Sequence, residues 1–213
     1  MIARLLYGCG LRVSEPLNLR IKDLNFEKLT FFIVGAKAGK DRVVAIPPSL
    51  VPELVQQMKF AQAVWLRDKQ NQIPVTLPHQ LARKYPEYQY SWPWAWLFPS
   101  HNTCFHPRTH LENRYRMHEA NVQRAIKEAR RRLGISVLPH ELRHGYATHS
   151  MNNGISPRAI QLAMGHNSLE TTMGYLHAES LSVQSPLESL LAGKNPPFQV
   201  PVIDTSAALA PNG

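Results

Sequence analysis

The chain has two cysteines in 213 residues, Cys9 and Cys104. Two thiols cannot build the disulfide framework that holds small secreted domains together. No stretch is long and apolar enough to span a bilayer as a helix. The opening MIARLLYGCGLRVSE lacks the apolar core and cleavage site of a secretory leader. Together these absences give the expectation of a reducing cytoplasm and no membrane. No internal repeat is present. Charge is also scarce, at 18% of residues, yet lopsided, with a formal net charge of +9. Lys194 is the only basic residue beyond His177, where Glu179, Glu188 and Asp204 also lie, so the first 177 residues hold 23 of the 24 basic and 12 of the 15 acidic side chains. At 44% hydrophobic residues the chain can bury a real core, with one domain as the default. A basic body suits a polyanionic partner, most often nucleic acid.

Periodicity and breakers divide the chain. ARLLYGCGL and RVSEPLNLR read as two short helices broken at Gly8 and Gly10, with Ser14 and Glu15 favouring the second start. LTFFIVGAKAGKDRVVAIP reads as strands over 29–34 and 42–46 around a Gly/Lys-rich turn that carries Lys37 and Lys40. A long helical pattern follows from Pro48 and Ser49. Residues 74–110 are rich in Pro, Trp, Tyr and His, and in W-P-W-A-W an extended chain would put Trp92, Trp94 and Trp96 on one side. EANVQRAIKEARRRLGI is an amphipathic helix, with Val122, Ala125, Ile126 and Ala129 expected inward and Arg124, Arg131 and their basic neighbours outward. Pro139 opens the next helix and Gly154 closes it, and Ser156-Pro157 and Ser168 start two more. From 178 the chain turns Ser/Pro/Ala-rich, and 192–213 reads as a disordered tail.

His140-Glu141-Leu142-Arg143-His144 has the spacing of a zinc hydrolase motif. The elongated form would need Gly at 147 and His at 150, where Ala147 and Ser150 stand. Arg143 between the histidines would repel a divalent cation. His101, Cys104, His106 and His110 are loosely ligand-like but lack paired Cys-x-x-Cys knuckles.

Four segments in order give a different pattern: GLRVSE with Arg12, GAKAGKDR with Lys37, HELRHGYATH with His140 and Arg143, and MGHNSLETTMGY with His166 and Tyr175. Taken singly, each residue has an ordinary role on a surface or in a core; their joint order and spacing do not. The pattern resembles the catalytic domain of tyrosine recombinases, the phage integrase family. The aromatic segment KYPEYQYSWPWAWLFPS and the later VQSPLESL are similar to integron integrases. That family carries paired histidines where Tyr115 and Arg116 stand here. Its members also carry an N-terminal core-binding domain ahead of Arg12, and the start at Met1 looks cut into. The resemblance implies an α+β, mainly α, catalytic domain over 1–191 with a small antiparallel sheet or hairpin and an insert at about 74–110.

It also implies the chemistry. Arg12 and Arg143 would hold the non-bridging oxygens of a DNA phosphodiester and offset the charge that builds there. Tyr175 would attack and form a 3′-phosphotyrosine, which conserves bond energy so that no cofactor is required. Lys37 would protonate the leaving 5′-oxygen, and His140 and His166 would bind the phosphate or move protons. Lys40, Arg42, Trp92, Trp94, Arg124 and Arg131 are candidate DNA contacts, with Trp92 the first choice to stack on an unpaired base. The implied activity is integron-type site-specific recombination in a bacterial cytoplasm, by a tetramer on a folded single-stranded site. The rivals are a truncated, catalytically impaired DNA-binding remnant and a zinc hydrolase.

Overall fold

Gly10 ends the first helix of the computed structural model, which describes residues 1–35, 41–107 and 110–165. Helix α1 (Ile2–Cys9) stops because Gly10 adopts a left-handed φ of 62°. A Cβ at Gly10 would sit 2.6 Å from the Tyr146 ring, so both conformation and space demand glycine. Gly8, expected as a break, lies inside α1. Leu5, Leu6 and Cys9 face the core, and α1 packs chiefly on α6 (Pro139–Asn152). Gly145 makes room there for the Tyr7 ring, and Tyr7 Oη lies 2.6 Å from His149 Nδ1.

After the short α2 (Ser14–Leu17), three antiparallel strands form a sheet in the order β1 (Leu24–Asn25), β2 (Thr30–Ile33), β3 (Arg42–Ala45). The register pairs Phe31 with Val44 and Ile33 with Arg42. Alternation then places Phe31, Ile33 and Val44 in the core and leaves Phe32 and Val43 exposed. The long α3 (Val51–Gln70) turns Val51, Leu54, Val55, Met58, Ala61 and Trp65 onto the same core at helical spacing.

The aromatic stretch is part of this core. Ile21 N–H donates to the Ala95 carbonyl and Leu97 N–H to that of Leu19, which lays 95–97 antiparallel beside 19–21. Trp92, Ala95, Leu97 and Phe98 are buried there. The expectation of three tryptophans on one side of an extended segment is corrected. Trp92–Trp94 forms a 3-10 turn, whose three-residue period breaks the strand alternation. Trp92 therefore points inward, 5.4 Å from the Trp65 ring. Trp94 and Trp96 flank Arg20, whose guanidinium carbon lies 5.4 and 3.6 Å from their rings.

A second pin holds this segment through α3. Arg114 Nε and one terminal nitrogen each donate to the Asp68 carboxylate at 2.6 Å, and both side chains are buried. Removing one partner of such a pair strands the other charge in the interior. Asp68→Ala is expected to cost about 3 kcal/mol of stability, measured as a lowered urea midpoint at unchanged m-value.

Short strands β4 (Cys104–Phe105) and β5 (Glu112–Asn113) pair in a separate ribbon. Helix α4 (His79–Lys84) precedes them, and α5 (Glu119–Leu133) follows them. In α5 only Val122 is buried and Ile126 partly so, while Ala125 and Ala129, expected inward, are exposed. The helix meets the core at its first turns and leaves it along its length. Helix α7 (Pro157–Met164), capped by Ser156 as expected, packs against α6 through Tyr146, Ile160, Ala163 and Met164. The expected turn lysines Lys37 and Lys40, the helix from Ser168 and the tail at 192–213 lie outside the described residues.

Candidate active site

The left-handed turn at Gly10 places Arg12 directly ahead of α2. Its backbone N–H donates to Glu15 Oε2 at 2.7 Å and its side chain to Glu15 Oε1 at 2.9 Å. Glu15 is buried and receives two further arginines. Arg42, at the start of β3, donates through both terminal nitrogens to the two carboxylate oxygens at 2.8 and 2.7 Å. Arg143, one turn into α6, lies 3.8 Å from Oε2. Burial by itself would raise the Glu15 pKa, but hydrogen bonds from Arg42 and Arg12 outweigh it and hold the carboxyl below its ordinary value. Three guanidiniums thus share one carboxylate, and the site keeps excess positive charge.

Arg143 is anchored on backbone. Its terminal nitrogens donate to the Gly10 carbonyl and, at 2.6 Å, to the Met164 carbonyl. Burial, and then the neighbouring Arg12, push its pKa down to about 10, which still leaves it charged at neutral pH. Arg12 donates its other terminal nitrogen to the Gly165 carbonyl at 2.9 Å. The turn after α1, the start of α6 and the end of α7 are therefore tied together by two cations. A guanidinium carries five donors, more than these carbonyl bonds occupy.

Both arginines line a cleft of about 490 Å³ with His140, His144, Gln123 and Met164. His140 and Arg143, three residues apart on α6, share this side of the helix. The zinc spacing resolves differently. His140 and His144 stand edge to face at 5.7 Å, but Glu141 accepts from the Leu138 N–H at 2.5 Å and caps its own helix. His101, Cys104, His106 and His110 do not converge; among the described residues no group of three or more His, Cys, Asp or Glu is placed to hold a metal ion.

Of the twelve residues singled out from sequence, Arg12, His140 and Arg143 come together here. Lys37, Lys40, His166 and Tyr175 lie outside the described residues. Arg42 is a correction: it faces inward onto Glu15, with its side chain 11% exposed, and is no surface contact for DNA. Trp92 is another, since a ring 5% exposed in the core has no free face for a base. Trp94 is half-buried, stacks on Tyr88 at 5.5 Å and has Lys22 Nζ 4.6 Å from its ring. It lines a second cleft, of about 580 Å³, with Trp96, Arg20, Lys22, Phe32 and Val34. Arg124 is exposed on α5, and Arg131 is exposed but pairs with Glu128 at 2.9 Å. The sequence marks Glu15 only as a helix-starting residue. A lone acid three residues after Arg12, in a basic motif, is the signal that marks it.

Residues 1–181 match the family model described as "Phage integrase family". An "Integrase/recombinase" of Escherichia coli is 41% identical over 196 residues, covering 89% of this chain and 58% of the relative. "Tyrosine recombinase XerA" of Pyrococcus furiosus is 34% identical over 200 residues, covering 91% of this chain and 57% of the relative. The chain thus spans under three fifths of the length of these relatives. Among solved structures, a XerA recombinase superposes with a TM-score of 0.53 at 21% identity, covering 91% of this chain and 57% of that one. The integrase of mycobacterium phage Brujita gives 0.53 at 20%, covering 99% and 56%. At these identities the structures speak to fold alone. The fold, the cleft that joins Arg12 to Arg143, and the match over 1–181 lead to one conclusion: the chain belongs to the phage integrase family.

Proposed function

We propose that this chain carries the strand-cleaving chemistry of a site-specific DNA recombinase. The observation that carries this reading is the pair Arg12 and Arg143, anchored on three carbonyls and set with His140 in one cleft. Fixed guanidiniums suit a phosphodiester, whose charge must be offset as the attacking oxygen approaches. Tyr175 Oη attacks the scissile phosphorus and yields a 3′-phosphotyrosine. The 5′-oxygen departs and takes a proton from Lys37. The tyrosine proton passes to an imidazole, His140 or His166. Reversal by another strand's 5′-hydroxyl rejoins the DNA with no change in bond count, so the exchange requires no energy source.

The finer reading is integron-type recombination by a tetramer on a folded single-stranded site. The aromatic segment supports it. Its second cleft combines the half-buried faces of Trp94 and Trp96 with Arg20 and Lys22, the mix that takes an unpaired base together with its phosphate. Arg124 and Arg131, both exposed on α5, are the side chains this reading assigns to backbone phosphates. A second reading, DNA binding without cleavage, is supported by the basic balance of the chain, with a formal net charge of +9.

A suicide substrate nicked beside the crossover point separates these readings. A covalent protein–DNA adduct that forms equally with and without EDTA is the expected result. Salt-sensitive binding without an adduct would establish DNA binding without cleavage. Peptide hydrolysis abolished by EDTA would restore the zinc reading.

A further inference from the structure

Arg42 uses three of its donors on groups that lead to the phosphate-binding arginines, and none of those groups is DNA. Its two terminal nitrogens grip both oxygens of Glu15. Its Nε donates to the Ala163 carbonyl at 3.1 Å. The guanidinium also lies under Gly165, where an added Cβ would meet its terminal nitrogen at 3.0 Å and its central carbon at 3.1 Å. Gly165 is in the left-handed region, at φ 64°, and its carbonyl receives Arg12. Arg12 is thus held at two points, the Glu15 carboxylate and the Gly165 carbonyl, and Arg42 braces both. Arg143 depends on Arg42 far less, since its anchors are the Gly10 and Met164 carbonyls and Glu15 lies 3.8 Å away.

Resting on the strand-cleavage reading above, we infer that Arg42 is a positioning residue. It clamps Glu15 and the end of α7, and so sets the orientation in which Arg12 meets the scissile phosphate. The requirement is for a fork. A carboxylate already shared by three cations is held in one plane only by a bidentate partner, and a lysine offers a single point charge. The neighbourhood explains the residue types. Glu15 is needed because buried cations at such close range repel each other without a carboxylate between them. Glycine suits 165 because its φ of 64° is left-handed and an added Cβ would press on the guanidinium that supports its own backbone.

The test compares Arg42→Gln and Arg42→Lys with wild type on two suicide substrates, one with an ordinary scissile phosphodiester and one with a neutral methylphosphonate. A misplaced arginine matters most where there is charge to offset. On the ordinary phosphate the cleavage rate is expected to fall by about 10- to 100-fold, with DNA affinity changed by less than about twofold. On the methylphosphonate the deficit should shrink to a few-fold. Arg42→Lys should fall between wild type and Arg42→Gln. A merely structural role would lower both substrates alike, and that result, or an undiminished rate on the phosphate, overturns the inference. A second readout needs no activity. In ¹⁵N relaxation of the arginine Nε–H groups of the folded variants, Arg12 should lose order while Arg143 keeps it. Equal ordering of Arg12 in wild type and variants overturns the inference as well. If wild type forms no adduct, the cleavage reading fails by itself, and the relaxation experiment still decides whether Arg42 orients Arg12.

Discussion

Tyr175→Phe is expected to abolish the covalent adduct while leaving DNA affinity within about twofold, because phenylalanine keeps the ring and loses only the attacking oxygen. No other oxygen in the four matched motifs stands at the position where the resemblance puts the nucleophile. An unperturbed tyrosine has a pKa of about 10, so the hydroxyl must be positioned and relieved of its proton as it attacks. The measurement is a denaturing gel of protein and labelled suicide substrate, paired with a gel-shift titration under native conditions. An adduct of undiminished yield in Tyr175→Phe would assign the nucleophile elsewhere. Loss of binding along with the adduct would mean that the substitution had disturbed the fold and not the chemistry alone.

Arg143→Lys is expected to slow cleavage by about 10²- to 10³-fold, the usual consequence of removing one fixed donor from a developing charge. The charge remains in the variant, so the deficit measures geometry. Lysine cannot donate to the Gly10 and Met164 carbonyls together while also reaching a phosphate, and it cannot present a planar fork. The same substitution should lower thermal stability, since one buried carbonyl at the turn after α1 or at the end of α7 is left without its donor. A rate deficit that persists in molecules shown to be folded by circular dichroism assigns the loss to the cleft. A lysine variant that cleaves within threefold of wild type would show that charge alone suffices at this position.

Much of the scaffold is legible along the chain because local signals agree with the tertiary outcome. Pro139 at the start of α6 reads the same way in one dimension and in three, as do Ser156 ahead of α7 and the two strands β2 and β3. Arg12, His140 and Arg143 could be singled out because their motif order constrains them jointly. The failures share one cause: each turns on direction, which spacing does not carry. Arg42 reads as a surface cation beside a lysine-rich turn, yet it faces Glu15. Trp92 reads as the exposed aromatic, yet the 3-10 turn sends it into the core and leaves Trp94 at the cleft. Ala125 and Ala129 obey the amphipathic pattern of α5 but lie beyond the reach of the core it points towards.

By itself, then, the sequence determined the class of the chain, the order of its main helices and of the strand pair β2 and β3, and the residue types a phosphodiester requires. The elements follow from breakers and spacing, which act over a few residues at a time, and the class and the chemistry from the resemblance carried by four motifs in order. The tertiary structure alone decided which arginines face the cleft and which of them braces the others. A single buried carboxylate, Glu15, gathers cations from positions 12, 42 and 143. Charges so far apart in the chain acquire their roles only when a low-dielectric interior makes their mutual placement costly to change.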